Sequence, residues 1–250
     1  MIDKTLDSGV ARKIGQAVGS LALERDAGPV VVARDGRLSG PYLMDGVIEG
    51  VTSTGCDVLD IGAVPTGVMY YAALDKAAGS GIVITGSHNP PDYNGMKFVR
   101  EGSRPISGDS GLQQIRTVAE SGSFQALGCA GKITRVETAE AYTAHLLGYV
   151  DAQKLKPLKI VVNAGNGGAG LVIDRLEPHL PFEFIKVHHE PDGTFPHGVP
   201  NPLLPENRAS TSEAVRAHDA DFGIAWDGDF DRCFLFDEKG QFIEGYYIVG

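Results

Sequence analysis

Two stretches of this 250-residue chain carry side chains able to do chemistry. The first is T-G-S-H-N-P-P-D-Y-N-G-M-K, residues 85–97, which follows the apolar run Ile82, Val83, Ile84. It offers a hydroxyl, an imidazole, amides and an ammonium, and its two prolines fix φ and stiffen it. Open α/β sheets place reactive groups in loops at the C-terminal ends of strands. Ser87 is therefore a candidate nucleophile. The second stretch is D-G-D-F-D-R, residues 227–232, which comes straight after an apolar run ending at Trp226. Three crowded carboxylates without a counter-ion would repel until at least one had its pKa raised enough to protonate. A divalent cation removes that repulsion, and an all-oxygen donor set suits Mg²⁺ or Mn²⁺. On a straight strand the outer two carboxylates would start roughly 13 Å apart, at about 3.3 Å per residue. On a helix the middle one would face away from the others. Only a curled loop brings all three to one ion, and Gly228 is expected to supply the freedom to curl. A calcium hand does not fit, because Arg232 occupies the loop's sixth position in place of Gly, and Glu238 at the twelfth lies beyond an apolar strand.

The elements that must position these loops alternate. A helix capped by Asp7 or Ser8 carries Val10, Ile14, Val18 and Leu21 at helical spacing. Strands are expected over 30–33, 57–61 and 81–85, with helices over 42–53 and from Pro65 onward. Residues 96–99 read as an antiparallel edge strand, followed by helices near 109–119 and over 136–150. The polar segment 151–157 suits a domain joint. Beyond it the pattern restarts: strands over 159–162 and 184–187, helices over 171–180 and 206–218, a strand over 222–226, and a hairpin pairing 233–236 with 241–244. The fold class expected is α/β, in two tandem three-layer α/β/α domains with mixed, mostly parallel sheets. Domain one spans 1–152 and carries the serine loop; domain two spans 153–250 and carries the aspartate loop. Residues 246–250 look like the opening of an apolar helix, which suggests that the polypeptide continues.

Composition narrows the function. A net charge of −10 argues against nucleic acid, whose binders carry basic stripes, yet leaves room for a small anion held by a local basic cluster. No apolar run approaches the roughly 20 residues of a membrane span, and the N-terminus is not a signal peptide. Cys56, Cys129 and Cys233 have no metal-type spacing; they read as reduced thiols of a cytoplasmic protein.

Together the two loops resemble the α-D-phosphohexomutase family, the phosphomannomutases and phosphoglucomutases. The likeness is reinforced by A-R-D-G-R-L-S-G (33–40), G-N-G-G-A-G (165–170) and N-P-L-L-P-E-N (201–207). The resemblance implies that Ser87 is a phosphoserine in the resting enzyme. It implies that Asp227, Asp229 and Asp231 hold one Mg²⁺, with a phosphoserine oxygen of Ser87 completing the set. Lys97 is similar to the family's candidate general acid/base and Arg232 to the arginine beside the transferring phosphoryl. His88 joins the catalytic group, and Asn89 and Arg37 the substrate-binding one. The implied reaction interconverts hexose 1-phosphate and hexose 6-phosphate through a bisphosphate intermediate. The segments 99–109 and 227–237 look most like bacterial phosphomannomutases, which tilts the substrate toward mannose phosphate. The family's N-terminal arginine segment and its third and fourth domains are not in this sequence, and Phe230 stands where many members have Gly.

Plainer readings stand beside these. Adjacent side chains in an extended segment point apart, so His88 is expected to contact phosphate or order the loop and not to deprotonate Ser87. The arginines of 34–37 either face the phosphoserine or ion-pair locally. The turn 165–170 lacks the Lys and Ser/Thr of a phosphate loop and reads as a device for close helix packing. His188 and His189 are expected to be solvated or structural. Two rival functions remain: a non-catalytic two-domain fragment that binds Mg²⁺, and a phosphatase using an aspartate of the acidic loop as nucleophile.

Overall fold

The structure, a computed structural model, describes residues Met1–Val249 and divides into two compact units. The first comprises Met1–Gly86 and Asp92–Thr138; the second comprises Ser87–Pro91 and the chain from Ala139 onward. Each is mixed α/β, built on one mostly parallel sheet, as the alternation of elements predicts. No described helix is long and apolar enough to cross a membrane.

In the first unit, α1 (Ser8–Glu24) starts where the Asp7 carboxylate accepts from the Val10 amide at 2.8 Å, a cap worth roughly 1 kcal/mol. Its buried face runs through Ala11, Gly15, Val18 and Ala22, while Val10 is exposed. The small residues let the helix approach the backbone of α2 (Gly40–Ser53) closely. The strands are β1 (Val30–Arg34), β2 (Val58–Ala63), β3 (Ser80–Ile84), β4 (Met96–Arg100), β5 (Arg104–Pro105) and β6 (Ile133–Arg135), in the order β5-β4-β3-β1-β2-β6. β1, β2, β3 and β6 run parallel, and β4 is antiparallel to both neighbours. β4 is thus not the last strand of the sheet, although the two-residue β5 pairs only with Val99 and Arg100. Sequence patterning misses β5 and β6 because both are short and fully exposed, so neither alternates apolar with polar. Helices α3 (Thr66–Asp75) and α4 (Gln113–Ser121) complete the unit. β3 is buried at every position, which fixes the point where the serine loop leaves the sheet.

The second unit opens with α5 (Ala139–Leu147), which packs on α6 (Ala169–Leu176). Its sheet comprises β7 (Lys159–Asn163), β8 (Glu183–Val187), β9 (Phe222–Trp226), β10 (Cys233–Phe236) and β11 (Phe242–Ile243). The order is β11-β10-β9-β7-β8, with β7 parallel to β8 and β9 and the hairpin antiparallel. Helix α7 (Ala209–Ala217) packs against β7 and β9, and α8 (Tyr246–Val249) follows the hairpin. In both sheets the strand the unit starts from, β1 or β7, has later strands on each side. Their carboxyl ends are topological switch points, where open α/β sheets bind ligands.

Candidate active site

The aspartate loop leaves the carboxyl end of β9, as read from sequence, and the residue that lets it curl is a surprise. Phe230, not Gly228, takes the left-handed conformation, with φ +60°. Its amide donates to the Asp227 carbonyl at 3.1 Å, closing the turn. Gly228 is needed for space: a Cβ there would come within 2.9 Å of the Ser87 carbonyl oxygen. A left-handed Phe costs roughly 1–2 kcal/mol, offset because its ring lies 5.3 Å from that of Trp226 and joins the β7–β9 core. Phe230→Gly is therefore expected to be a net destabilisation of about 1 kcal/mol, since lost aromatic packing exceeds relieved strain. Urea unfolding checks it, and a stabilised variant would show that the ring contributes little.

The turn brings the three carboxylates together. Ligand oxygens of Asp227, Asp229 and Asp231 all lie within 4.8 Å of one another, the one such group of titratable side chains among the described residues. Asp227 and Asp229 are each 1% exposed. The Asp227 carboxyl is pushed up to about 6, first by burial, then by the charges of Asp229 and Asp231, with Arg232 and the Ser87 hydroxyl pulling the other way. Three carboxylates beside one guanidinium leave the group net negative when ionised, and an all-oxygen donor set of this kind suits a hard divalent cation. The residues present fit Mg²⁺.

Ser87 belongs to this same unit and meets the loop across 140 residues of sequence. Its hydroxyl donates to Asp227 Oδ2 at 3.0 Å and accepts from Arg232 Nη2 at 2.8 Å. Arg232 Nε lies 3.2 Å from Asp227 Oδ2 and 3.5 Å from Asp231 Oδ1. The Arg232 and Asp231 amides both donate to Asp227 Oδ1, at 3.1 and 3.2 Å. Ser87 is 8% exposed and sits at φ +48°, so residues 87–88 are not extended. The two side chains converge, and His88 Nδ1 lies 3.2 Å from Ser87 Oγ, against the expectation that they point apart. Yet that nitrogen accepts from Arg232 Nη2 at 2.6 Å, and the Ser87 proton is directed at Asp227. His88 orders the arginine.

These geometries accompany likeness to known proteins. Residues 1–126 match the family model described as phosphoglucomutase/phosphomannomutase, alpha/beta/alpha domain I, and residues 140–240 match that of domain II. The chain belongs to the phosphoglucomutase/phosphomannomutase family. A protein of Xanthomonas campestris pv. campestris named for phosphohexose mutases is 56% identical over 98% of this chain and 54% of its own length. A phosphomannomutase of Salmonella typhimurium is 52% identical over the whole chain and 56% of its own length. The crystal structure of a phosphoglucomutase/phosphomannomutase family protein from Burkholderia thailandensis superposes with a TM-score of 0.88 at 41% identity, covering 96% of this chain and 53% of that one. The chain thus spans a little over half the length of these relatives.

The remaining residues singled out in this family member divide between the units. Asn89 is exposed in the second, and Lys97 is half-buried on β4 of the first, in register with Val83. Arg37 makes the local ion pair. Its guanidinium is 1% exposed, lies 3.4 Å from Asp35 Oδ2 and donates to the Tyr93 carbonyl at 3.0 Å. It is buried and packs against Gly86, the residue before Ser87, where a Cβ would come within 2.4 Å of its guanidinium carbon. Asp35, whose carboxyl burial pushes up, accepts from the Arg37 amide at 3.0 Å and from the Gly86 amide at 3.3 Å. Sequence reasoning passed over Asp35; the signal for it was its place after β1, beside the switch point with β3. The turn 165–170, expected to serve close helix packing, lies close to the aspartate loop: a Cβ at Gly167 would come within 2.6 Å of the Gly228 carbonyl oxygen.

Proposed function

We propose that this chain forms the phosphoryl-carrying half of a Mg²⁺-dependent phosphohexomutase that interconverts hexose 1-phosphate and hexose 6-phosphate in the cytoplasm, with mannose favoured over glucose. The observation that carries this is the convergence of a buried serine hydroxyl with a carboxylate and a guanidinium 140 and 145 residues away. In the resting enzyme Ser87 Oγ bears the phosphoryl group. The free hydroxyl of the sugar phosphate attacks that phosphorus, the Ser87 Oγ–P bond breaks, and the sugar proton is delivered to the departing Ser87 Oγ, with Lys97 as the general acid/base. The resulting bisphosphate turns over and returns its other phosphoryl to Ser87, restoring the starting state. Phosphoryl transfer asks for positioning and charge neutralisation more than for covalent chemistry. A phosphoserine adds about −1.5 to −2 charges beside three aspartates. Arg232, already on Ser87 Oγ, supplies one fixed donor to the transferring group, and His88 aims it. Asp227, Asp229 and Asp231 would hold Mg²⁺, which neutralises the developing charge when bound.

A second reading, that this chain alone binds Mg²⁺ and carries phosphate without turning sugar over, is favoured by its covering only 54–56% of the curated relatives. Intact-mass measurement separates the possibilities. One phosphoryl group is expected on the purified chain, mapped to Ser87, removed by hexose 1-phosphate and absent from Ser87→Ala. Removal without formation of hexose 6-phosphate supports the second reading. Phosphate turnover surviving in Ser87→Ala would refute both and point to an aspartate nucleophile.

A further inference from the structure

The glycine turn at 165–170 is the motif that the proposed chemistry leaves unused. It follows β7, whose neighbours are β8 and β9, and the loop after β9 holds the aspartates. The two loops therefore meet at the switch point of the second sheet. There the Gly168 amide donates to the Gly228 carbonyl at 3.2 Å. Gly228 lies between Asp227 and Asp229, so any movement of its peptide carries both carboxylates.

What holds the glycine turn is Asn166, buried and left-handed at φ +58°. Its amide donates to the His188 carbonyl at 2.7 Å, and its carbonyl accepts from the Asp192 amide at 2.9 Å. Its Nδ2 donates to the Glu190 carbonyl at 2.8 Å, and its Oδ1 lies 2.9 Å from His197 Nδ1. With the side-chain nitrogen committed to Glu190, the oxygen faces His197, whose Nδ1 must then carry the hydrogen. The His197 ring stacks on that of His188 with centroids 3.7 Å apart.

We propose that Asn166 and His197 are positioning residues for the aspartate loop. Their hydrogen bond fixes the glycine turn, the turn fixes Gly228 through Gly168, and Gly228 sets the carboxylate spacing that the cation requires. This rests on the metal reading above. The first unit repeats the device in other residues: the loop after β1 holds the loop after β3 through the Asp35 carboxylate on the Gly86 amide, one residue before Ser87. Outer-shell partners that orient ligands tune metal affinity without touching the ion.

The test is Mn²⁺ binding to the whole chain, followed by the electron paramagnetic resonance of free Mn²⁺, with unphosphorylated Ser87 verified by mass. His197→Phe keeps a ring on His188 but has no N–H to give. Its affinity is expected to fall about tenfold, the low end of outer-shell effects. His197→Asn, whose Nδ2 falls near the position of Nδ1, is expected to retain affinity. Unchanged affinity in His197→Phe, or equal losses in both variants, would overturn the proposal, the latter because ring packing would then be what matters. Should His197→Phe not fold, Asn166→Gly keeps the left-handed backbone, removes both side-chain bonds and is expected to show the same loss; wild-type affinity there also overturns it. Absence of Mn²⁺ binding by the wild-type chain would refute the metal reading itself, and this inference with it.

Discussion

Asp229→Asn is expected to lower Mg²⁺ affinity by more than about a hundredfold, beyond what outer-shell substitutions cost, while leaving the chain folded. The amide has the shape of the carboxylate, so the buried site is not emptied. What changes is charge: a cluster of three anions becomes a cluster of two, and a neutral amide oxygen is a poorer donor to a hard cation. The same substitution acts on Asp227. After burial, Asp229 is the largest cause holding the Asp227 carboxyl up near 6, so removing that charge lets Asp227 return toward the ordinary range. Without metal at pH 7 the variant should therefore be at least as stable as the wild type. Calorimetric titration and melting curves with and without Mg²⁺ read both effects. The wild type should melt higher in Mg²⁺, by mass action on the native state, and the variant should not. Wild-type affinity in Asp229→Asn would sink the metal assignment, whereas a variant that unfolds in the absence of metal would make Asp229 a structural residue.

That Asp227 meets Ser87 was legible through the family resemblance, while residue types alone marked each of the two loops as able to do chemistry. Three aspartates at alternate positions crowd negative charge that a divalent cation would relieve, and a serine heads a stiff loop. What was hidden was backbone conformation. Glycine is the residue expected to curl a chain, yet Phe230 takes the left-handed position because Trp226 rewards its ring, and Gly228 is needed for closeness to Ser87. Likewise Ser87, at φ +48°, breaks the extended geometry that made His88 look misdirected. Arg37 was ambiguous because a sequence does not say which way an arginine turns; the buried Asp35 beside it accounts for the local ion pair. The parallel strands were readable as apolar runs, but β5 and β6 were not, being short, exposed and held by backbone hydrogen bonds that carry no side-chain signature. The parallel between Asp35 on Gly86 and Gly168 on Gly228 could not be read at all, since the two share topology and no residue types.

The pH dependence of the site follows from Asp227. Its native pKa of about 6 lies above the ordinary 3.8, so between those values the native state binds more protons than the unfolded one. By linkage the contribution of Asp227 to stability without metal falls as pH rises from about 4 to about 6 and is constant above, a cost on the order of 2–3 kcal/mol. The wild type minus Asp227→Asn isolates this from the other carboxylates: the variant should gain on the wild type as pH rises through that window. Mg²⁺ reverses the sign of the demand. The cation needs the carboxylate ionised, so protons compete with it below pH 6, and affinity should drop toward about tenfold per pH unit there while staying flat above pH 7. Binding at pH 6 should release about half a proton from a group titrating at that pH, and at pH 8 almost none, as titrations in buffers of different ionisation enthalpy would show. An affinity that does not vary between pH 8 and pH 5 would mean that Asp227 is not a ligand, and that its proximity to Ser87 serves only to accept the serine proton.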